Sequence, residues 1–384
     1  MKTFRSFITE SKNTHLEHLE DAIFLSGTSG ITAAVAVIRE VLRVLHGNAK
    51  GKTFVSVKWD GAPSIICGED PKSKKFFVAT KSLFNKTPKV NYTAADIARN
   101  HGSSGVAAKL QAALSALKPL GIKGILQGDL LFTKGDVKTK TIDGVSYYTF
   151  QPNTIMYAIP VDSALGARVA AADLGVVFHT QYKGKDIPSL SASFGPNVNY
   201  LKGSSNVWIE DATFTDATGA ATMSAAETAA LEDQLSEITA ARSDSDLTKA
   251  LRVIHSDPRV NELVKRYFNA QVRAGADLGT VPGLLKFVFD QAKTKPNEAL
   301  VSKFRANASG IKKAFALHKR IATAKNIIIG KMNQVRSIGA FYPTDTGFRV
   351  ANPEGFVAVA SKGVYKLVDR LEFSRQNFNA VKNW

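Results

Sequence analysis

The sequence predicts an α+β fold of mostly antiparallel sheets, interrupted by a long helical block. Three observations predict it. Short runs rich in β-branched and aromatic residues, broken by Gly, Pro and Asp, fill residues 52–208. Apolar residues at helical spacing dominate 224–335. Strand-like runs then resume at GFRVANPEGFVAVAS and VYKLVDRLEF, so the helical block reads as an insertion into a sheet domain.

The first fifty residues read as helical. Thr14-His15-Leu16-Glu17 has capping-box spacing, and apolar residues recur every three or four positions over 31–45 before Gly47. His15 and His18 stand beside Glu17, Glu20 and Asp21; these are metal-ligating types, but the pattern reads as a polar helix face. From Lys52 the period shortens to that of strands, in TFVSVKWDG, SIICG and KKFFVATKSLF. A helix is expected over 106–117, then strands at GILQGDLLF, VSYYTFQP and NTIMYAIPVD, with strands and loops over 176–208. Ser224 and Glu227, again at capping-box spacing, open SAAETAALEDQLSEITAA. Helices follow, with interruptions near Pro258, Gly275 and Pro282.

At 384 residues the chain has room for two or three folding units. Hydrophobic residues make up 44%, enough for a real core, which excludes general disorder and collagen-like repeats. No apolar run approaches the roughly 18 residues of a membrane span, and MKTFRSFITESKN lacks an apolar secretory core. The lone cysteine, Cys67, excludes an intramolecular disulfide and a cysteine-based zinc site. A reducing cytoplasm is the expected compartment. Fifty Lys and Arg against 33 Asp and Glu give a net charge of +17, which points to a polyanionic partner, nucleic acid before a membrane surface. Residues 293–336 hold eleven Lys or Arg against one acid, Glu298. A solvated helix face usually mixes both signs, so Lys303, Arg305, Lys312, Lys313, Lys319, Arg320 and Lys325 are candidate phosphate contacts.

The sharpest local signal is Lys58-Trp59-Asp60-Gly61, which ends the apolar run FVSV and precedes Ala62-Pro63-Ser64. In order behind it come Asp129 in LQGDLLF, Tyr157 in TIMYAIP, Glu354 in PEGFVAV and Lys366 in VYKLVD. Charged groups inside strand-like runs are costly to bury without partners. Two lysines and three carboxylates on one sheet suit a nucleoside triphosphate and a metal ion. Trp59 reads as packing, and His179 in VVFHT as structural.

This ordered set resembles the covalent nucleotidyltransferases: ATP-dependent DNA ligases, RNA ligases and mRNA capping enzymes. KWDG resembles motif I, QGDLLF motif III, TIMYAI motif IIIa, EGFV motif IV and YKLV motif V, over roughly residues 52–160 and 350–370. KNTHLEHLED, with KWDGAP and GDLLF, further resembles a group of ligases encoded by tailed phages, which would place the protein in a host cytoplasm.

The resemblance implies a ligase adenylation core, with 1–50 its N-terminal helical segment, 51–221 plus 337–384 the adenylation domain, and 222–336 an inserted basic helical domain. With 18 residues after Lys366, no C-terminal OB-fold is expected, which favours the RNA-ligase branch. The implied reaction joins 5′-phosphate and 3′-hydroxyl ends of RNA or DNA, as a monomer, with ATP and Mg²⁺ or Mn²⁺. Lys58 is then the nucleophile, and its pKa of about 10.4 when free calls for activation. Lys366 assists at the α-phosphate, Asp60 and Glu354 bind metal, Asp129 contacts ribose or metal, Tyr157 stacks on adenine, and Gly61 and Lys81 complete the nucleotide site. The sequence departs from the family's pattern at three places. Asp129 stands where Glu is usual, Ala158 where Asp follows the aromatic, and Val368 where motif V repeats its lysine, with Lys362 or Arg370 as substitutes. Three alternatives remain open: a nick ligase for DNA or RNA–DNA hybrids, a non-catalytic nucleic-acid-binding phage protein, and a capping guanylyltransferase that would label from GTP.

Overall fold

A computed structural model describes residues 16–48, 53–204, 206–216, 219–256, 258–276, 279–290, 296–335, 339–344, 347–350 and 355–370. Strand β1 (Glu17–His18) leads through a 3-10 turn into helices α1 (Ala22–Ser26) and α2 (Thr28–Leu45). Strands β2 (Phe54–Lys58), β3 (Ser64–Glu69) and β4 (Phe76–Ala79) follow, then a 3-10 turn over Lys81–Phe84. Helices α3 (Ala94–His101) and α4 (Gly105–Leu117) precede β5 (Ile125–Thr133), β6 (Lys138–Ile142), β7 (Val145–Phe150) and β8 (Met156–Pro160). Next come α5 (Ala164–Ala171), β9 (Leu174–Lys183), β10 (Ser191–Phe194) and β11 (Val207–Asp211). The helical block holds α6 (Ala225–Ala240), α7 (Ser245–His255), α8 (Pro258–Arg273), α9 (Val281–Asp290), α10 (Pro296–Ala306) and α11 (Ala308–Met332). Strands β12 (Gly339–Thr344), β13 (Gly347–Val350), β14 (Gly355–Ala360) and β15 (Gly363–Leu367) complete the described elements.

The result is α+β with three sheets, antiparallel except where β1 joins β15 and β11 joins β9. The first sheet runs β1-β15-β14-β2, the second β10-β9-β5-β3-β4 with β11 added on β9, and the third β13-β12-β8-β7-β6. Backbone bonds stitch the first sheet to the second: Val57 N donates to Ala212 O at 2.7 Å, and Phe214 N to Val55 O at 2.8 Å. Helices α3 and α4 cover one face of the second sheet through Ile97, Leu110 and Leu117 on Ile65, Val78 and Phe178. Its other face meets the third sheet in an aromatic core of Phe132, Phe150, Tyr157 and Trp208.

Two expectations need correction. Helix was expected around Glu17 and His18. The described chain there is a strand, because β15 offers it a parallel partner in the register Glu17↔Tyr365 and His18↔Lys366. Residues 1–15, with the Thr14 cap and His15, lie outside the described residues. The apolar side of the helical block, expected as an inserted domain over 222–336, is continuous with that of the N-terminal helices and the first sheet. Leu235, Ile254, Phe304, Ile321 and Ile328 share one apolar cluster with Leu19, Ile38 and Val41 and with Phe356, Ala358 and Leu367 of the first sheet. The face Glu20 and Asp21 were expected to show to water is buried: both are 1% exposed. The Ser224–Glu227 capping box is present, and a second, Thr93–Asp96, starts α3, which the sequence reading passed over along with α5.

Candidate nucleotide-binding site

Lys58 ends β2, and the three residues after it turn the chain onto the second sheet. Gly61 makes that turn possible. A Cβ there would lie 2.5 Å from Asp129 Cβ and 3.0 Å from Leu130 O, so only glycine lets the loop lie flat on β5. Ala62 N donates to Leu130 O at 3.0 Å and seals the contact.

Asp60 is 3% exposed, and its carboxylate is heavily used. Asn153 Nδ2 donates to Oδ1 at 2.7 Å, while Thr154 N, Thr154 Oγ1 and Ile155 N donate to Oδ2 at 2.6, 2.7 and 2.8 Å. A carboxylate has about four lone-pair sites, so this one clamps the loop before β8 instead of standing open to a metal. Tyr157, expected against adenine, is also spent on structure. It is 5% exposed, packs on Trp59 and Phe150, and its hydroxyl accepts from Asp60 N at 2.8 Å. Trp59 packs as expected, between Tyr157 and Trp208.

Asp129 lies on β5 opposite Ser64 and Val177. Burial pushes its carboxyl up to about 6, although Lys58 and Lys81 both pull it down. His179, on β9, stands beside it with Nε2 3.9 Å from Asp129 Oδ2. Burial, then the charges of Lys81 and Lys58, lower its imidazole to about 4. The sequence reading took His179 as structural; the structure puts it in the site. Its place follows from a β-bulge that only the pairing reveals, because Gln127 pairs with Thr180 and Gly128 with Phe178, leaving His179 as the extra residue. Lys58, Lys81, Asp129 and His179 therefore form one electrostatic cluster.

Lys366 joins them by register. It pairs with Val357 on β14, which pairs with Ser56 on β2, and alternation places Ser56 and Lys58 on the same face. Glu354 lies outside the described residues. Among the described residues, no group of three or more His, Cys, Asp or Glu side chains converges to hold a metal. Of the two substitutes for a second motif V lysine, Arg370 is engaged elsewhere, donating to Asp21 Oδ1 at 2.6 Å. Lys362 sits exposed in the β14–β15 turn.

The basic helices change character in space. Lys325 is 1% exposed, and its Nζ donates to Glu20 Oε2 at 2.8 Å, so it is no phosphate contact. Lys313 bonds Asp244 and Asp246 at 2.7 and 3.2 Å, Arg320 pairs with Glu237 at 3.2 Å, and Lys331 with Glu227 at 2.6 Å. Three cations of the one-signed block are thus matched by acids of α6 and of the start of α7. Lys303, Arg305, Lys312 and Lys319 are exposed along α10 and α11. A groove of about 430 Å³ between α6 and α11 is lined by Lys319 and Arg320 together with Gln234, Glu237, Ala316 and Thr323.

No described helix is long and apolar enough to cross a membrane. A model of a family of unknown function (DUF6267) matches residues 13–382. No curated protein and no solved structure matches the chain.

Proposed function

The chain belongs to that family, and we propose that it is an ATP-dependent polynucleotide ligase of nucleotidyltransferase fold that works through an adenylylated Lys58, with RNA ends its favoured substrate. The observation that carries this reading is the gathering of Lys58, Lys81, Asp129 and His179 around the Gly61 turn, with Lys366 on the same face of the adjoining sheet.

Three cations suit a triphosphate. Lys58 Nζ, once deprotonated, attacks the α-phosphorus. A P–N bond forms as the P–O bond to pyrophosphate breaks, and pyrophosphate leaves with that electron pair. Lys81 and Lys366 offset the charge that develops on the phosphoryl oxygens. The AMP then passes to a 5′-phosphate, and a 3′-hydroxyl displaces it. Mg²⁺, when bound, would lower the charge on the phosphates. The described residues do not make a cage for it, because Asp60 is already saturated with donors. Asp60 and Tyr157 act by holding the loop that follows Lys58 in place. Exposed cations of α10 and α11 would grip the nucleic acid in a salt-sensitive way.

Intact mass after incubation with ATP and Mg²⁺ tests the reading. A gain of one AMP, abolished in Lys58→Ala, is the expected result. The structural use of Asp60 and Tyr157 favours a second reading, a nucleic-acid-binding protein of this fold without catalysis. No adduct with ATP or GTP would select it.

A further inference from the structure

We propose that the hollow between α2 and α6 is a phosphate-binding site in which Arg43 and Arg242 hold the backbone of a bound nucleic acid; this rests on the reading of nucleic acid as the partner, and not on the chemistry of Lys58. The hollow measures about 250 Å³. It is lined by Thr32, Arg39, Glu40 and Arg43 of α2, Thr239 of α6, and Arg242 of the 3-10 turn that follows α6.

Helix α2 carries three charged residues, Arg39, Glu40 and Arg43, and all three line this hollow. The acid among them is already used. Glu40 is buried and accepts from Thr53 Oγ1 and Ser361 N, each at 2.8 Å, and from Ser361 Oγ. Burial pushes its carboxyl up, but the bonds from Ser361 and Thr53 and the charge of Arg43 hold it below its ordinary value. Glu40 thus ties α2 to the start of β2 and to the β14–β15 turn. Arg39 is oriented by Glu232 of α6, to which its Nε and Nη2 donate at 2.8 and 2.7 Å, and part of its five-donor fork is left over. Arg43 and Arg242 are exposed, and neither guanidinium has an ion pair or hydrogen bond among the described residues. Lys362, next to Ser361, adds an exposed cation at the same end of α2.

Two guanidinium groups on separate elements suit a phosphate, whose oxygens the planar arginine fork binds in pairs. The hollow is smaller than the roughly 300–1,000 Å³ that encloses a drug-sized ligand. A phosphate enters it, while the chain that carries the phosphate stays outside. A polymer with phosphates along its length meets that description. The hollow is also remote from the candidate nucleotide site. Ile38 and Val41 of α2 pack on Phe356 and Ala358, and Phe356 pairs with Val57, the neighbour of Lys58. Alternation along β2 therefore puts α2 and Lys58 on opposite faces of the first sheet. A strand held here is held away from the reacting ends.

The experiment measures anisotropy of a labelled single-stranded RNA of about 20 nucleotides between about 50 and 200 mM salt. It compares the wild type with Arg43→Gln/Arg242→Gln and with Lys183→Gln/Lys185→Gln, a control of equal charge change at the exposed end of β9 and the loop after it. Loss of two phosphate contacts should flatten the slope of log affinity against log salt by about 1.4, and weaken binding about tenfold or more near 100 mM salt. The control should keep most of the wild-type slope. An unchanged slope in the arginine variant overturns the proposal. So does equal flattening in the control, because net charge and not a site would then account for the loss. The single variants, each expected to flatten the slope by about 0.7, serve if the double variant does not fold. A wild type that binds no RNA ends the nucleic-acid reading and this site with it, whereas binding with an unchanged slope in the arginine variant removes the site alone. Transfer of AMP to Lys58 has no part in either result.

Discussion

Two clusters of buried charge in this molecule are built on opposite plans. Around β1, Glu20 bonds Lys325 at 2.8 Å, while Asp21 takes Arg370 at 2.6 Å and His318 at 3.0 Å. His318 stacks on Phe268 with ring centroids 4.7 Å apart, and Arg370 also reaches Asn269. Burial raises the Glu20 carboxyl, yet Lys325 overrides it and brings the group down to about 2. Asp21 is likewise held well below the carboxylate range, Arg370 outweighing burial. At the candidate site the balance reverses, and Asp129 rises to about 6 despite two lysines. Short pairing of both carboxylates marks the first cluster as architecture, although His318 Nδ1 and Arg370 Nε are buried without a hydrogen-bond partner among the described residues. Incomplete compensation is the pattern expected of a binding site and the reason to test the second cluster as one.

The largest test of this contrast is Lys325→Met. It strands Glu20 in an apolar interior and should cost about 3–5 kcal/mol in denaturant unfolding. Adding Glu20→Gln should recover most of it; no recovery would mean that Lys325 acts by packing and not by charge. Because the folded Glu20 carboxyl lies near 2 and its ordinary value is 4.5, the stabilisation is complete above about pH 4.5 and lost as pH falls toward 2. The double variant should show a flatter acid limb.

Asp60→Ala comes next. It leaves the Thr154 and Ile155 amides without their acceptor, and about 2–3 kcal/mol should be lost. Hydrogen exchange should rise first in the loop before β8; uniform loosening would contradict the clamp.

Asp129→Asn should act in the opposite direction. A carboxyl raised to about 6 favours the folded state least above that pH. The variant should therefore be more stable than wild type by about 1–2 kcal/mol at pH 8, discounted because solvent reaches 21% of the side chain, and equal to it at pH 4. Thermal melts at both pH values decide this, and destabilisation at pH 8 would place Asp129 with the architectural carboxylates. The smallest effect belongs to Lys313→Ala. Its ion pairs with Asp244 and Asp246 are exposed, so the melt should barely move, and less still in high salt.

What could be read beforehand follows how local each feature is. The Lys58–Gly61 turn was legible because strand, lysine and glycine are contiguous, and the requirement for Gly61 is set by the next strand it touches. The α6 cap was legible for the same reason. His179 was not, since its role depends on a bulge that appears only when β5 pairs with β9. The basic block misled because its partners lie far off in sequence: Asp244 is 69 positions from Lys313, Glu237 is 83 from Arg320, and Glu20 is 305 from Lys325. Tyr157 shows a different limit. Core packing and base stacking ask for the same ring, so only burial separates them.

The bond between Asp21 and Arg370 spans 349 positions. During synthesis, residues 17–21 emerge early and must wait, without β15, Lys325 or Arg370, for almost everything else to be made. At about 5–20 residues per second that interval is tens of seconds. Throughout it, the apolar face of α2 lacks both the first sheet and α11 to cover it. Slowing translation late in the message should aggravate aggregation more than slowing it early.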